Sequence, residues 1–123
     1  MSEFFTAADV LRRYKDEDLP EFCEIDLVGV NQAGNFGNYP IHVACVRGSM
    51  PEVQALIEGG ADVNAIGELG ARPLHDAVSQ GHIDVVKALL QFGASRSEKN
   101  GFESTPLDVA LTNGRDDIAN VLR

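Results

Sequence analysis

Residues 72–82, RPLHDAVSQGH, bring together side chains that can do chemistry. His75, Asp76 and Ser79 are the residue types of a hydrolase triad, in which a histidine activates a serine hydroxyl and an acid orients the histidine. His75 and His82 are also candidate zinc ligands, because imidazole nitrogen is a common metal donor. The same residues therefore need to be weighed as catalysts, as metal ligands and as parts of the fold.

The spacing of these residues argues against both kinds of site. Adjacent helical residues point about 100° apart, so Asp76 does not face His75, and nothing marks Ser79 as an activated nucleophile. No Cys, His and carboxylate cluster completes four metal ligands, and no P-loop, GxGxxG or CxxC motif occurs. We therefore predict that the protein is not an enzyme and uses no cofactor or metal.

The chain repeats itself at an interval of 33 residues. A residue that recurs in each unit needs an explanation that also recurs, which a single reaction centre does not supply. Proline, alanine, glycine and leucine share one register, at Pro40, Pro73 and Pro106, at Ala44, Ala77 and Ala110, at Gly48, Gly81 and Gly114, and at Leu56, Leu89 and Leu122.

Each repeat has the same internal order of turn, helix, turn and helix. A glycine-bearing turn precedes a proline that begins a helix, where the missing N–H is not needed. Apolar residues follow at helical spacing, and Gly48 or Gly81 ends the helix. A second amphipathic helix comes next, with Ser49 and Glu52 as a capping box in one repeat. One unit cannot bury both of its apolar sides, so the sequence predicts a stack of units.

Two segments, YPIHVACVRGSMPEVQALIEGGADVNA (39–65) and RPLHDAVSQGHIDVVKALLQFGA (72–94), match the pattern TPLHxAAxxGHxxVVxxLLxxGADVNA at most defining positions. On these residues the chain resembles the ankyrin repeat family. The resemblance implies an all-α fold, an ankyrin-repeat solenoid of stacked helix-turn-helix units with β-turn fingers. Residues 105–123, TPLDVALTNGRDDIANVLR, resemble a C-terminal capping repeat of this family, with Asp108 at the histidine position.

The 33-residue spacing divides residues 1–123 into four blocks, which we predict to form a single ankyrin-repeat domain. These are a degenerate N-terminal capping repeat at 1–33, repeats at 34–66 and 67–99, and a C-terminal capping repeat at 100–123. In the first block, Thr6-Ala7-Ala8-Asp9 aligns with Thr105-Pro106-Leu107-Asp108, which predicts a first helix over roughly 4–15 and a second over 18–25. Asp18 and Glu21 are expected to form a capping box around Pro20. The apolar side of this block is expected to comprise Phe4 or Phe5, Ala8, Leu11, Phe22 and Cys23.

The resemblance gives His42 and His75 a structural role. In the family, the histidine of TPLH hydrogen-bonds the backbone of neighbouring turns, and the preceding threonine joins that network. Tyr39 and Arg72 stand in place of that threonine here, so weaker networks are expected in the two full repeats. His82 belongs to the Gly-His pair at the start of the second helix, which is also a family position.

The resemblance also implies a binding surface. Ankyrin stacks present turn fingers and first-helix faces along one concave side, and members of the family bind other proteins there. The contact positions carried over to this sequence are Asn35, Phe36, Asn38, Val43, Val46, Arg47, Glu68, Leu69, Ala71, Asp76, Ser79, Gln80, Phe102, Ser104, Val109, Thr112 and Asn113.

One of these positions, four residues before each repeat proline, carries a large apolar residue in every repeat. It is occupied by Phe36, Leu69 and Phe102. An apolar turn tip in water has no folding role, so three of them predict an exposed binding stripe that Val43 and Val46 extend. The alternative is that these side chains fold back onto neighbouring turns.

The net charge is −9 and the pI is about 4.6. An acidic surface repels phosphates, which argues against nucleic acid and anionic membranes as partners and favours a basic protein. Most of the excess charge lies in KDEDLPEFCEID (15–26). This segment is either a solvated capping face or a surface that steers a basic partner.

Cys23 and Cys45 form no paired pattern, and the N-terminal MSEFFTAADV has no signal-peptide character. No stretch approaches the ~18 apolar residues of a membrane span. We therefore expect a cytoplasmic, monomeric protein that acts as an adaptor, inhibitor or immunity-type binder of another, basic protein. The alternative is a structural or regulatory subunit that self-associates or docks in a larger complex through its N-terminal segment.

Overall fold

The computed structural model describes residues 5–123. Within that range the chain forms seven α-helices and two short 3-10 turns, and it has no β-strand. The α-helices are α1 (Ala7–Asp16), α2 (Pro40–Arg47), α3 (Met50–Glu58), α4 (Pro73–Gln80), α5 (Ile83–Gln91), α6 (Pro106–Thr112) and α7 (Asp116–Leu122). The 3-10 turns are Pro20–Phe22 and Glu68–Gly70.

The helices lie in two rows. The first helices of the repeats, α2, α4 and α6, pack side by side in one row, and α3, α5 and α7 form the other. The residues that recur at 33-residue spacing on the facing sides are buried in one shared core: Ala44, Ala77, Ala110, Leu56, Leu89 and Leu122. Stacking thus covers the apolar surfaces that one repeat leaves exposed, and the predicted all-α stack is confirmed.

Glycines end α2 and α4 in the left-handed conformation that the sequence predicts. Gly48 has φ of 71° and Gly81 has φ of 78°. A side chain at position 48 would also collide with the His82 ring of the next repeat, whereas the flexible Arg115 side chain that lies against Gly81 can move aside. Both positions need glycine for the backbone conformation, and Gly48 also permits close stacking.

The N-terminal segment differs from the expectation in its second helix. The α-helix predicted over 18–25 is wrong, because this stretch contains only the 3-10 turn Pro20–Phe22. Asp18 and Glu24 have φ of 51° and 60°, and residues in the left-handed region cannot continue a right-handed helix. The chain therefore runs as an irregular segment between α1 and the first turn tip.

The capping box predicted between Asp18 and Glu21 does not form. The Glu21 side chain is buried and accepts hydrogen bonds from the backbone N–H of Phe36 at 2.8 Å and from the amide of Asn38 at 2.7 Å. Its carboxylate therefore holds the first turn tip of the stack instead of the start of a helix.

The residues that α1 buries agree only in part with the predicted ones. Leu11 is buried as expected, but Val10 and Tyr14 are the residues with no exposed surface. Ala8 is exposed, because its helical phase turns it to solvent, and Phe4 lies outside the described residues. The remaining predicted residues of this side are at least partly buried: Phe5, Phe22 and Cys23.

Helix α1 packs against α3 and so lies in the row of second helices. The alignment that made it a first helix is wrong in this respect. Its local signal is right, since Thr6 and Asp9 form a capping box like that of Thr105 and Asp108 in α6. A capping signal fixes where a helix starts, whereas the buried face of the helix decides its neighbour.

Candidate functional site

Three turn tips, called fingers below, comprise residues 34–38, 67–71 and 100–104. Each is closed by a backbone hydrogen bond from its first N–H to its last carbonyl, at 2.8, 2.8 and 2.9 Å. Neighbouring fingers are also joined, because the Gly101 N–H donates to the Leu69 carbonyl at 2.7 Å and the Glu68 N–H donates to the Asn38 Oδ1 at 2.9 Å. These hydrogen bonds therefore fix the positions of the fingers relative to one another.

The two TPLH-type histidines hold the fingers to the first helices. In His42, Nδ1 accepts from the Tyr39 N–H at 3.0 Å, so Nε2 carries the proton and donates to the carbonyls of Ala65 and Ala71. Burial lowers the pKa of His42, which favours this neutral ring. The ring therefore bridges a helix start to the next finger.

His75 repeats this arrangement one unit later. Its Nδ1 accepts from the Arg72 N–H at 3.0 Å and its Nε2 donates to the Ser104 carbonyl at 3.0 Å. Both ring nitrogens are thus occupied by backbone, which leaves none for Ser79 or for a metal ion. Across residues 5–123, no group of three or more His, Cys, Asp or Glu side chains is arranged to hold a metal.

A groove of about 590 Å³ lies between the fingers and the first helices. Its walls combine apolar side chains with a few polar ones. The lining residues are Asn38, His42, Val43, Val46, Arg47, Glu68, Leu69, Ala71, His75, Asp76, Ser79, Asn100, Phe102 and Val109.

The finger tips expose their large apolar side chains. Phe36, Leu69 and Phe102 have 55%, 64% and 69% of their surface accessible, so they do not fold back onto neighbouring turns. Leu69 is also strained, because its φ of 59° lies in the left-handed region that leucine rarely adopts. An exposed apolar residue held in a costly conformation is a candidate for a functional contact.

Asp76 is a half-buried carboxyl in the middle of this groove. Burial, with the charge of Glu68 as a smaller cause, raises the pKa of Asp76 to about 7. Within the part of the chain that the structure describes, no cationic side chain pairs with either carboxyl. The groove thus contains uncompensated negative charge against apolar walls.

Arg47, the basic residue of the groove lining, is turned away from these carboxyls by its own ion pairs. It contacts Glu17 at 2.7 Å and Glu52 at 3.5 Å, and its guanidinium lies over the Tyr14 ring at 5.1 Å. Its charge is thereby compensated by an acid directly after α1 and an acid of α3, which leaves the negative side of the groove unopposed.

A family model described as ankyrin repeats, in three copies, matches residues 14–100 of this chain. The chain belongs to the ankyrin repeat family. A search of curated proteins found no match to it. Ankyrin repeats generally mediate protein–protein interaction and are typically non-catalytic. No helix of residues 5–123 has the length and apolar character to cross a membrane.

The ankyrin groove includes many of the contact positions carried over from the sequence. Those in its lining are Asn38, Val43, Val46, Arg47, Glu68, Leu69, Ala71, Asp76, Ser79, Phe102 and Val109. Those outside the lining are Asn35, Phe36, Gln80, Ser104, Thr112 and Asn113. The Asn35 amide is instead used within the fold, where it donates to the carbonyls of Pro20 and Cys23.

Three lining residues of the ankyrin groove were missed from the sequence: His42, His75 and Asn100. The histidines were assigned to the fold alone, although both residues also border the groove. Asn100 begins the third finger, and its Oδ1 accepts from the N–H groups of Phe102 and Ser104. An asparagine at the first position of a turn is the signal that could have found it.

Proposed function

We propose that this protein is a non-catalytic protein–protein interaction module that binds its partner in the concave groove. The observation that carries the proposal is the set of three exposed apolar finger tips, Phe36, Leu69 and Phe102, beside an apolar groove. Large exposed apolar patches mark interaction sites in soluble proteins, and aromatic side chains are frequent binding hot spots.

The groove is also preformed, which favours binding. The histidine bridges and the finger-to-finger hydrogen bonds fix the positions of the apolar side chains before any partner arrives. A surface that is already ordered loses little conformational entropy on association. Val43 and Val46 continue the apolar surface from the fingers onto α2.

The test is affinity capture from native lysate with the triple variant Phe36→Ser, Leu69→Ser, Phe102→Ser. A matched control changes three exposed apolar residues away from the finger tips, Ile66→Ser, Phe92→Ser and Leu111→Ser. Partners are quantified by mass spectrometry, and folding of each variant is checked by circular dichroism. We expect the tip variant to lose the partner that the wild type and the control retain. Equal capture by the tip variant and the wild type would refute the groove assignment.

Within this function, we propose the more specific role of an adaptor, inhibitor or immunity-type binder of a basic protein. The net charge of −9 supports it, because complementary charge accelerates association with a basic surface. The association rate is then expected to fall steeply with added salt while the dissociation rate changes little. Stopped-flow measurements at several salt concentrations, with the captured partner, test this role.

A second candidate function is self-association or docking through the N-terminal segment. It is favoured by Val28, which is 73% exposed and lines a shallow cleft together with Leu27 and residues of α1 that include Leu11. Light scattering of wild type and Val28→Ser distinguishes it. A wild type that remains monomeric at high concentration removes self-association.

A further inference from the structure

The position of Asp76 suggests what kind of segment the groove receives. Its carboxyl is half-buried, lies in the lining with Val43, Val46 and Leu69, and has no cation beside it within residues 5–123. A charge surrounded by apolar surface without a partner is unfavourable for the free protein. Charge complementarity therefore points to a cation supplied from outside.

Resting on the proposed function, we propose that the groove binds a partner segment in which one Lys or Arg is flanked by apolar side chains. The cation pairs with Asp76, with Glu68 as a second, more exposed acid at the finger. The flanking apolar side chains pack on the valines of α2 and on the tips Leu69 and Phe102.

The surroundings of Asp76 make such a pair stronger than a surface salt bridge. Apolar walls lower the local dielectric, so attraction between the carboxylate and a cation is less screened than in open water. Arg47 does not compete, since Glu17 and Glu52 already hold its guanidinium. A phosphate-bearing ligand fits poorly, because the free charges of the groove are negative.

Protonation of Asp76 is expected to weaken this binding. The titratable and charged groups near it are Cys45, His42 and the ion-paired Arg47 of α2, Glu68 of the second finger and His75 of its own helix. Among the groove-lining residues of α6 and the third finger, none is titratable. Both histidines have a lowered pKa and remain neutral above it. Because the Asp76 pKa is raised to about 7, the carboxylate that the cation needs is lost as pH falls through that value.

The experiment is a selection of random phage-displayed peptides on the full chain, followed by affinity measurements on the selected peptides. The test variant is Asp76→Asn, which keeps the shape of the side chain and removes its charge. The matched control is Asp116→Asn, an exposed aspartate at the start of α7. Thermal melts verify that both variants fold.

We expect enriched peptides to contain a Lys or Arg between apolar residues. Asp76→Asn should weaken them about tenfold or more, and Asp116→Asn should leave their affinity within about twofold. Wild-type affinity should fall about tenfold between about pH 8 and pH 6, because at the lower pH the Asp76 carboxyl is protonated and must lose its proton before it can pair with the cation. The Asp76→Asn variant should not show this fall.

Other outcomes would overturn the inference, and they separate it from the proposed function. The proposal of a basic segment is refuted if the enriched peptides contain no cation. It is also refuted if they bind Asp76→Asn with unchanged affinity but bind the triple tip variant more weakly, and in that case the groove remains the binding site. Peptides that bind the triple tip variant unchanged refute both. No enrichment at all, or a dimer of the chain that Asp76→Asn abolishes, refutes the basic peptide segment as the occupant.

Discussion

The Tyr14 hydroxyl donates a 2.6 Å hydrogen bond to Oε1 of Glu52, and this contact joins α1 to the second helix of the first full repeat. Glu52 is buried, and its other carboxylate oxygen accepts from Arg13 at 2.8 Å. The sequence assigned Glu52 to a capping box with Ser49. The structure keeps half of that box, since Ser49 Oγ accepts from the Glu52 N–H, while the carboxylate turns to α1.

Tyr14→Phe is expected to lower the free energy of unfolding by about 1–3 kcal/mol, because a buried carboxylate loses a donor. Chemical denaturation measures the loss, and hydrogen exchange should locate it in the amides of α1. The double variant Tyr14→Phe, Glu52→Gln provides the coupling energy between the two side chains. A coupling near zero would contradict the proposed contribution of this bond.

His75→Ala is expected to lower the free energy of unfolding by about 1–3 kcal/mol, since the Arg72 N–H and the Ser104 carbonyl both lose their partner. Thermal or chemical denaturation measures it. Gln80→Ala, an exposed change in the same helix, is the control and should have little effect. An unchanged stability in His75→Ala would count against the structural role of the ring.

Leu69→Asn is expected to raise the free energy of unfolding by about 0.5–1 kcal/mol, because asparagine adopts the left-handed conformation at lower cost than leucine. The same change should weaken partner binding. Phe102→Asn is the matched control, since Phe102 has the same place in its finger without a positive φ. It should weaken binding with no gain in stability. A stability gain in both variants would exclude backbone strain as the cause.

Asp76→Asn is expected to raise the free energy of unfolding at about pH 8 by about 1–2 kcal/mol, after discounting for solvent access to the side chain. The folded pKa of about 7 lies above the ordinary value of 3.8, so ionisation destabilises the folded state. The advantage of the variant should shrink as pH falls from about 7 towards 4, where the native carboxyl is also neutral. Denaturation of both proteins across this range measures it, and a difference that grows on acidification would contradict the assignment.

Some features of the groove could be predicted from the sequence because they are repeated. Phe36, Leu69 and Phe102 share one position in the 33-residue register, and their exposure follows from their place at the turn tips. The electrostatics could not be predicted in this way. Asp76 is a single residue without a counterpart, and its raised pKa depends on walls from three different elements.

The N-terminal segment shows the limit of the repeat argument. Here the 33-residue alignment correctly predicts a capped helix at Thr6, because capping is a local interaction between residues three apart. The same alignment predicted a second helix over 18–25 that does not form, because Asp18 and Glu24 adopt left-handed conformations that no local pattern marks.

The sequence by itself determined the period, the starts and ends of the helices in the 33-residue repeats and the shared core, and its resemblance to the family implied the structural role of the histidines. These depend on neighbours within a repeat or on contacts that every repeat makes again. Only the tertiary structure decided that α1 joins the second row, that Glu52 faces Tyr14 and that Arg47 is paired away from Asp76. Those contacts join residues about 30 or more positions apart and occur once, so nothing in the periodic pattern specifies them.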